Sequence, residues 1–198
     1  QRLEAGLKAI DISTSRLTDL MEDLFAVSTP GSTSLPLRLA TVDINEYIQE
    51  FLTTTPSLSL AGHNFHLKST DEQLMTSIDL TRFSQVLFNV VINAVHFSPP
   101  DSDVYITTTR ETTSVLISVQ DKGKGLDPGE EITIFDPFTH ARSWQQSEDQ
   151  GLGIGLYISK QIVQRHKGEI WAESEGQDAG ATIHIRLPLA PEAIIPPM

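Results

Sequence analysis

Residues 82–97 read RFSQVLFNVVINAVHF, an apolar run interrupted at steps of three and four by Arg82, Gln85, Asn89, Asn93 and His96. At helical spacing these five side chains form one narrow polar stripe on an otherwise apolar helix, the pattern of a helix set into a core. A stripe that merely faces water usually carries Lys and Glu. This one carries two amides and an imidazole. Asn is a poor helix-interior residue because its side chain competes for backbone hydrogen bonds, and buried amides demand partners. Two kinds of partner would satisfy them: neighbouring backbone, or a ligand with many oxygens.

Two glycine clusters lie downstream. Asp121-Lys-Gly-Lys-Gly125 follows a β-rich segment, so its carboxylate stands at a strand end, able to accept from an exocyclic amine. Gly123 and Gly125 allow φ > 0 and a close backbone approach to a flat ligand. By itself D-x-G-x-G is also an ordinary turn, and glycines stand where a calcium loop needs acids or amides. Gly151-Leu-Gly-Ile-Gly155 precedes a helical pattern, and the free N–H groups of a helix start favour phosphate. A dinucleotide fingerprint would put glycine at 156, where Leu stands, and a strand before 151, where the sequence is Ser-Glu-Asp-Gln. No Gly-Lys-Ser/Thr occurs, which excludes a Walker loop. A flexible, closely packed hinge is the other reading of these glycines.

The elements that must position these groups fit one ordinary domain with an appendage. The chain has 198 residues, 39% hydrophobic and 20% charged, without the composition of disorder. Its net charge of −12 argues against a nucleic-acid surface and implies that a phosphate ligand arrives with a divalent cation. No run of 18 apolar residues is present, so this segment is expected to make no membrane contact. Cysteine is absent, which excludes disulfides and thiolate metal sites.

Residues 1–28 carry a heptad seam, with Leu3, Ile10, Leu17 and Leu24 in one position and Leu7, Thr14, Met21 and Ser28 in its companion. A helix of that length is marginal alone and needs either a partner helix, the preferred reading, or its own domain to pack on. Pro30-Gly31 stops it, and residues 29–40, rich in Ser, Thr, Pro and Gly, read as a linker. The expected division is residues 1–34 for helix and linker, 35–190 for the main domain and 191–198 for a proline-rich tail. Within the domain, Asp43 caps a helix over 44–53, with Glu46 completing a capping-box pattern. Strands are expected over 63–69, 74–78, 103–109, 114–120, 168–175 and 179–187, with a hairpin turn at 110–113. Asp79 or Thr81 caps the central helix, which ends before Pro99-Pro100. Residues 139–150 are polar and read as a mobile loop, and Gly168 is placed as the stop of a helix running to about His166. Irregular alternation of strands and helices favours an α+β, two-layer α/β sandwich over a doubly wound sheet.

Taken together, the N-x-x-x-N helix, the D-x-G-x-G turn, the phenylalanine pair Phe135 and Phe138, and G-x-G-x-G opening a helix come in an order and spacing that resembles the ATP-binding catalytic domain of sensor histidine kinases. That family sits in the superfamily of gyrase, the ninety-kilodalton heat-shock chaperone and the MutL repair proteins. The resemblance spans about residues 41–189 and extends to Pro137-Phe138, His166-Lys-Gly168 and the closing residues 180–188. Residues 1–28 look like the second helix of the family's dimerisation hairpin. The resemblance implies a Bergerat-type sandwich, with a mixed sheet covered by helices on one face and a long coiled-coil-type helix ahead of it. It also implies ATP and Mg2+ as cofactors.

Residue by residue, the resemblance implies that Asn89 and Asn93 hold the magnesium and the phosphate oxygens, and that His96 stands where a Lys or Arg usually reaches toward the phosphates. Asp121 would take the adenine amine, with Gly123 and Gly125 shaping that wall. Phe135 and Phe138 flank the lid. Gly151, Gly153 and Gly155 lie beside the phosphates, and Leu152 replaces a common hydroxyl residue. The ATP-hydrolysing branches carry a glutamate at position 89 as general base; an amide cannot take that proton, so Asn89 implies transfer to a histidine rather than to water. None of the six histidines stands in the family's acceptor context of a helix followed by Glu and Pro. The expectation is thus a kinase that phosphorylates a histidine outside this chain, and the alternative is a regulatory nucleotide-binding module of the same fold. The implied partners are a second copy through the N-terminal helix and the receiver domain of a response regulator. The implied location is cytoplasmic.

Overall fold

The structure, a computed structural model, describes residues 36–59, 62–139 and 153–191. The expected helix over 1–28, the loop with His140 and Arg142, and the end of the tail lie outside the described residues. The domain itself begins at Leu37.

A five-stranded sheet forms the floor: β2 (Asn64–Lys68), β4 (Asp103–Arg110), β5 (Ser114–Gln120), β7 (Thr182–Pro188) and β6 (Glu169–Glu173), in the spatial order β2-β4-β5-β7-β6. β2 runs parallel to β4 and every other pair is antiparallel, so the sheet is mixed. Period-2 patterning decides its faces. Val104, Ile106 and Thr108 point to one side together with Val115, Ile117, Val119, Ile183, Ile185 and Leu187, all of them buried. The opposite face carries Tyr105, Ser118, Trp171, His184 and Arg186, none of them fully buried.

Helices cover the apolar face. α3 (Leu80–Phe97) buries Phe83, Val86, Leu87, Val90, Val91 and Ala94, and α5 (Gly155–Arg165) buries Leu156, Ile158, Ile162 and Val163. Each Leu, Ile, Val or Phe withdrawn from water is worth about 1.5–3 kcal/mol, so this layer supplies the main driving force for folding. The polar stripe of α3 is real: Arg82, Gln85, Asn89 and Asn93 are half-buried and His96 is exposed. Asp79 caps α3, its carboxylate accepting from Arg82 N at 3.1 Å, and Ser98 closes the helix ahead of Pro99. α1 (Ile44–Thr54) starts at the expected cap, Asp43, which accepts from Asn45 N at 2.9 Å. Among the described residues there are also two short helices, α2 (Pro56–Ser59) and α4 (Glu130–Thr133).

Several elements differ from the sequence reading. The last two residues read as linker, Leu39 and Ala40, open a strand that the reading did not expect, β1 (Leu39–Asp43), which pairs antiparallel with β3 (Met75–Asp79) in a second, two-stranded sheet. Five residues with Leu39 exposed carry no clear alternation, so only pairing reveals the strand. The small sheet joins the large one through Thr76 Oγ1 donating to Pro188 O at 2.8 Å and Ala190 N donating to Met75 O at 2.8 Å. At the end of α5 the left-handed residue is Lys167, with φ +60°, rather than Gly168. Lys167 N donates to Gln164 O and Gly168 N to Val163 O, both at 2.9 Å, which makes a Schellman stop. Gly168 serves a different need, since a Cβ there would lie 2.4 Å from Arg186 O.

Candidate functional site

The two helices and the ends of β5 and β7 line a partly open cleft. Its walls are largely apolar, with Val90, Val119, Leu126, Ile134 and Ile183 among them, and Asn93 and Asp121 bring the polar groups. A flat, largely apolar slot ending in one carboxylate suits a heteroaromatic ring with a hydrogen-bond donor at its edge.

Asp121 follows the last residue of β5 and is buried. Its Oδ1 accepts from Gly123 N at 2.7 Å and from Ala181 N at 3.2 Å, which leaves Oδ2 as the oxygen for a ligand. Burial pushes its carboxyl above the ordinary carboxylate range, and the two backbone N–H groups only partly offset that rise. The glycines around it meet steric demands. A Cβ at Gly123 would lie 2.4 Å from the carbonyl oxygen of Phe97, at the end of α3. Gly125 adopts φ +68°, and a Cβ there would stand 1.9 Å from Gly176 O. The turn is therefore wedged between α3 and the loop after β6.

Along α3 the two asparagines differ. Asn89 Nδ2 donates to Gly155 O at 3.0 Å and to Ser159 Oγ at 3.4 Å, tying α3 to the first turn of α5. Part of its capacity thus goes to neighbouring backbone, the first of the two kinds of partner that a buried amide can find. Asn93 lines the cleft, and its side chain makes no hydrogen bond with any described residue. No group of three or more His, Cys, Asp or Glu residues among the described ones could hold a metal ion. A cation here would rest on amide oxygens and on the ligand's own phosphates, a set that suits magnesium, which takes few protein ligands and hard oxygen donors. His96 stands at the exposed end of the stripe, in the last turn of α3.

At the far side, Gly153 has φ +67° and its carbonyl accepts from Phe138 N at 3.0 Å, which joins the stretch ending at residue 139 to the one beginning at 153. Gly155 begins α5, and its missing Cβ would stand 3.4 Å from the Asn89 amide. Phe135 is buried, whereas Phe138 is 57% exposed and adopts φ +62°. Gly151 and Leu152 lie outside the described residues.

The structure adds residues that the sequence reading did not single out for the site. Ala181 holds Asp121 through its backbone, and Gly180, with φ +75°, could not carry a Cβ without approaching Asp121 O to 2.3 Å. Ser159, fully buried, donates to Gly155 O at 2.9 Å beside Asn89. His166 is buried at the end of α5, where Nε2 accepts from Asp79 N at 2.8 Å and Nδ1 lies 2.8 Å from Ile162 O. It locks the stop of α5 to the start of α3.

Comparison with known proteins agrees with this fold. The family described as histidine kinase-, DNA gyrase B-, and HSP90-like ATPase matches residues 78–191. Sensor protein kinase WalK of Staphylococcus saprophyticus is 33% identical over 178 residues, covering 88% of this chain and 29% of its own. The bacteriophytochrome of Pseudomonas aeruginosa is 30% identical over 181 residues, 91% of this chain and 24% of its own. The chain thus spans between about a quarter and a third of the length of these curated relatives. Among solved structures, the nucleotide-free catalytic domain of histidine kinase ThkA aligns with a TM-score of 0.66 at 27% identity, over 78% of this chain and all of that one. ThkA in complex with response regulator protein TrrA aligns with a TM-score of 0.70 at 26% identity, over 94% of this chain and 52% of that one. The chain therefore belongs to the histidine kinase-, DNA gyrase B- and HSP90-like ATPase family, where its relatives include the sensor protein kinase WalK and the histidine kinase ThkA.

Proposed function

We propose that this chain binds Mg-ATP in the cleft and transfers the γ-phosphoryl group to a histidine supplied from outside it. The observation that carries the reading is Asp121, a buried carboxylate with one oxygen fixed by two backbone N–H groups at the end of an apolar slot. A carboxylate held that way accepts a hydrogen bond from an exocyclic amine such as that of adenine, and would repel a carbonyl oxygen in the same place. Asn93 lines the same cleft, and Asn89 lies one helical turn away beside the start of α5.

A bound magnesium ion would neutralise the charge of the phosphate oxygens. Asn93 and Asn89 are the residues to hold it, through their amide oxygens. Asn89 bonds to Gly155 and Ser159 through Nδ2 as donor, so Oδ1 is the atom that would face a cation. The first turn of α5 offers N–H groups where phosphates would sit. Transfer forms a P–N bond to the acceptor imidazole, breaks the bridging P–O bond, and releases the imidazole proton to solvent. The acceptor's neutral ring already holds the attacking lone pair, so no general base is required, and catalysis is chiefly positioning and charge neutralisation. Asn89 supports this over hydrolysis: its N–H donates to Gly155 O, a bond that a carboxylate at 89 could not make. The proposed products feed a response regulator, and the proposed assembly is a dimer through residues 1–28.

The test is incubation with radiolabelled Mg-ATP and a separately supplied dimerisation hairpin carrying the acceptor histidine. Label on that histidine is expected, with little phosphate released when the hairpin is omitted. Nucleotide binding without label on the hairpin would favour a regulatory binding module. Steady phosphate release by the chain alone would place it with the hydrolysing branch.

A further inference from the structure

One side chain next to the cleft has more bonds than a strand-end serine ordinarily makes. Ser174 follows the last residue of β6. Its Oγ donates to Gly180 O at 2.6 Å and accepts from Leu126 N at 3.1 Å and from Gly176 N at 3.2 Å. These partners belong to two separate loops. Leu126 ends the turn that begins at Asp121 and lines the slot. Gly180 precedes Ala181, whose N–H holds Asp121 Oδ1. The same hydroxyl would lie 3.0 Å from a Cβ at Gly125, so it sits inside the seam where the loops meet. Backbone bonds close the rest of the seam: Asp178 N donates to Lys124 O at 2.7 Å and Gly180 N to Gly123 O at 3.0 Å.

We propose that Ser174 is a positioning residue for base recognition: its hydroxyl clasps loops 121–126 and 174–181 together, and so sets both the width of the slot and the orientation of the Asp121 carboxylate. This rests on the nucleotide-binding reading above. The physical reason is that loops without regular secondary structure must find bonds for their own N–H and C=O groups. Here a single oxygen satisfies Gly176 N and Gly180 O within its own loop and, across the seam, Leu126 N. Without it, the N–H groups of Leu126 and Gly176 must turn to water, and the slot opens where the base enters. The phosphate end of the cleft, at Asn89 and the first turn of α5, lies apart from the bonds of Ser174; α3 meets loop 121–126 at its last residue, where Lys124 N donates to Phe97 O at 3.3 Å.

That asymmetry gives a readout which general destabilisation would not produce. Ser174→Ala is expected to weaken Mg-ATP binding about tenfold, as loss of a part-buried hydrogen bond or two would, and to leave the affinity for Mg-tripolyphosphate, which lacks a base, unchanged. In a kinase assay KM for ATP should rise with kcat retained. Equal loss for both ligands, or no loss for either, overturns the role of Ser174. A wild-type chain that fails to bind Mg-ATP overturns the functional reading itself, which is a different result. Should the variant not fold, hydrogen exchange on the wild-type chain decides. Mg-ATP is expected to slow exchange in residues 122–127 and 174–181 together, while Mg-tripolyphosphate slows neither. Protection confined to 122–127 refutes the clasp.

Discussion

Replacing Asp121 with asparagine separates what this residue does for a ligand from what it costs the fold. In Asp121→Asn the amide oxygen can still accept from Gly123 N and Ala181 N, so the bonds now made by Oδ1 are kept. The NH2 group takes the place of Oδ2 and would meet an adenine amine donor to donor. A hydrogen bond to a charged group is worth about 1.5–3 kcal/mol, so Mg-ATP affinity should fall about 10- to 150-fold in a calorimetric titration near neutral pH. Stability should move the other way. Burial raises the Asp121 pKa above its ordinary value of 3.8. The favourable contribution of its protonated form is therefore complete below that value and is lost as pH rises through the raised, folded-state value. Asparagine does not titrate, so the variant should melt above the wild type at neutral pH, and the gap should close as pH falls through the raised, folded-state value towards 3.8. A titration that shifts by less than about threefold, or a variant less stable than wild type at neutral pH, would refute the recognition role and the burial argument respectively.

The two asparagines of α3 should part company. Asn93→Ala is expected to weaken Mg-ATP binding while leaving the unfolding free energy from urea titration within about 0.5 kcal/mol of wild type, since the Asn93 side chain makes no hydrogen bond with any described residue. Asn89→Ala should in addition lower stability by about 1 kcal/mol, because it removes the bond from α3 to Gly155 O. Gly125→Ala must accommodate φ +68° and a Cβ 1.9 Å from Gly176 O. Left-handed strain and overpacking together should cost about 2–4 kcal/mol, read as a drop of about 5–15 °C in the melting temperature by circular dichroism; an unchanged melting temperature would contradict the wedge. His166→Ala leaves Asp79 N unpaired at the start of α3 and opens a gap at the end of α5. Denaturant unfolding should show a loss of about 2–4 kcal/mol, with the slope unchanged.

Much of the molecule could be read from local patterning. The helix over residues 80–97 shows itself through its apolar period, the cap at Asp79 and the Pro99-Pro100 stop. Asp103–Arg110 and Ser114–Gln120 show themselves through alternation about a short polar turn. Asp121 and its glycines were recognisable because only glycine tolerates such close approach. β1 was not recognisable, for its five residues lack a clear alternation and it exists through pairing with β3. Nor was the left-handed position at Lys167, where Gly168 was the better local candidate; the sheet needs the glycine for the passage beside Arg186.

Sequence alone therefore determined the longer helices and the strands with clear alternation, which face of each would be buried, and which residue types were available for chemistry. Those properties follow from periods of 2 and 3.6 residues and from steric limits on single residues. Only the tertiary structure decided the strand order β2-β4-β5-β7-β6, the joining of Asn89 to Gly155, the freedom of Asn93 from such a bond, and the clasp at Ser174. Each of these joins residues far apart in the chain, and no local pattern encodes which distant carbonyl a hydroxyl or amide will meet. That choice is made when the helices close over the sheet and the buried N–H and C=O groups at the seam take whatever partners the packing brings within reach.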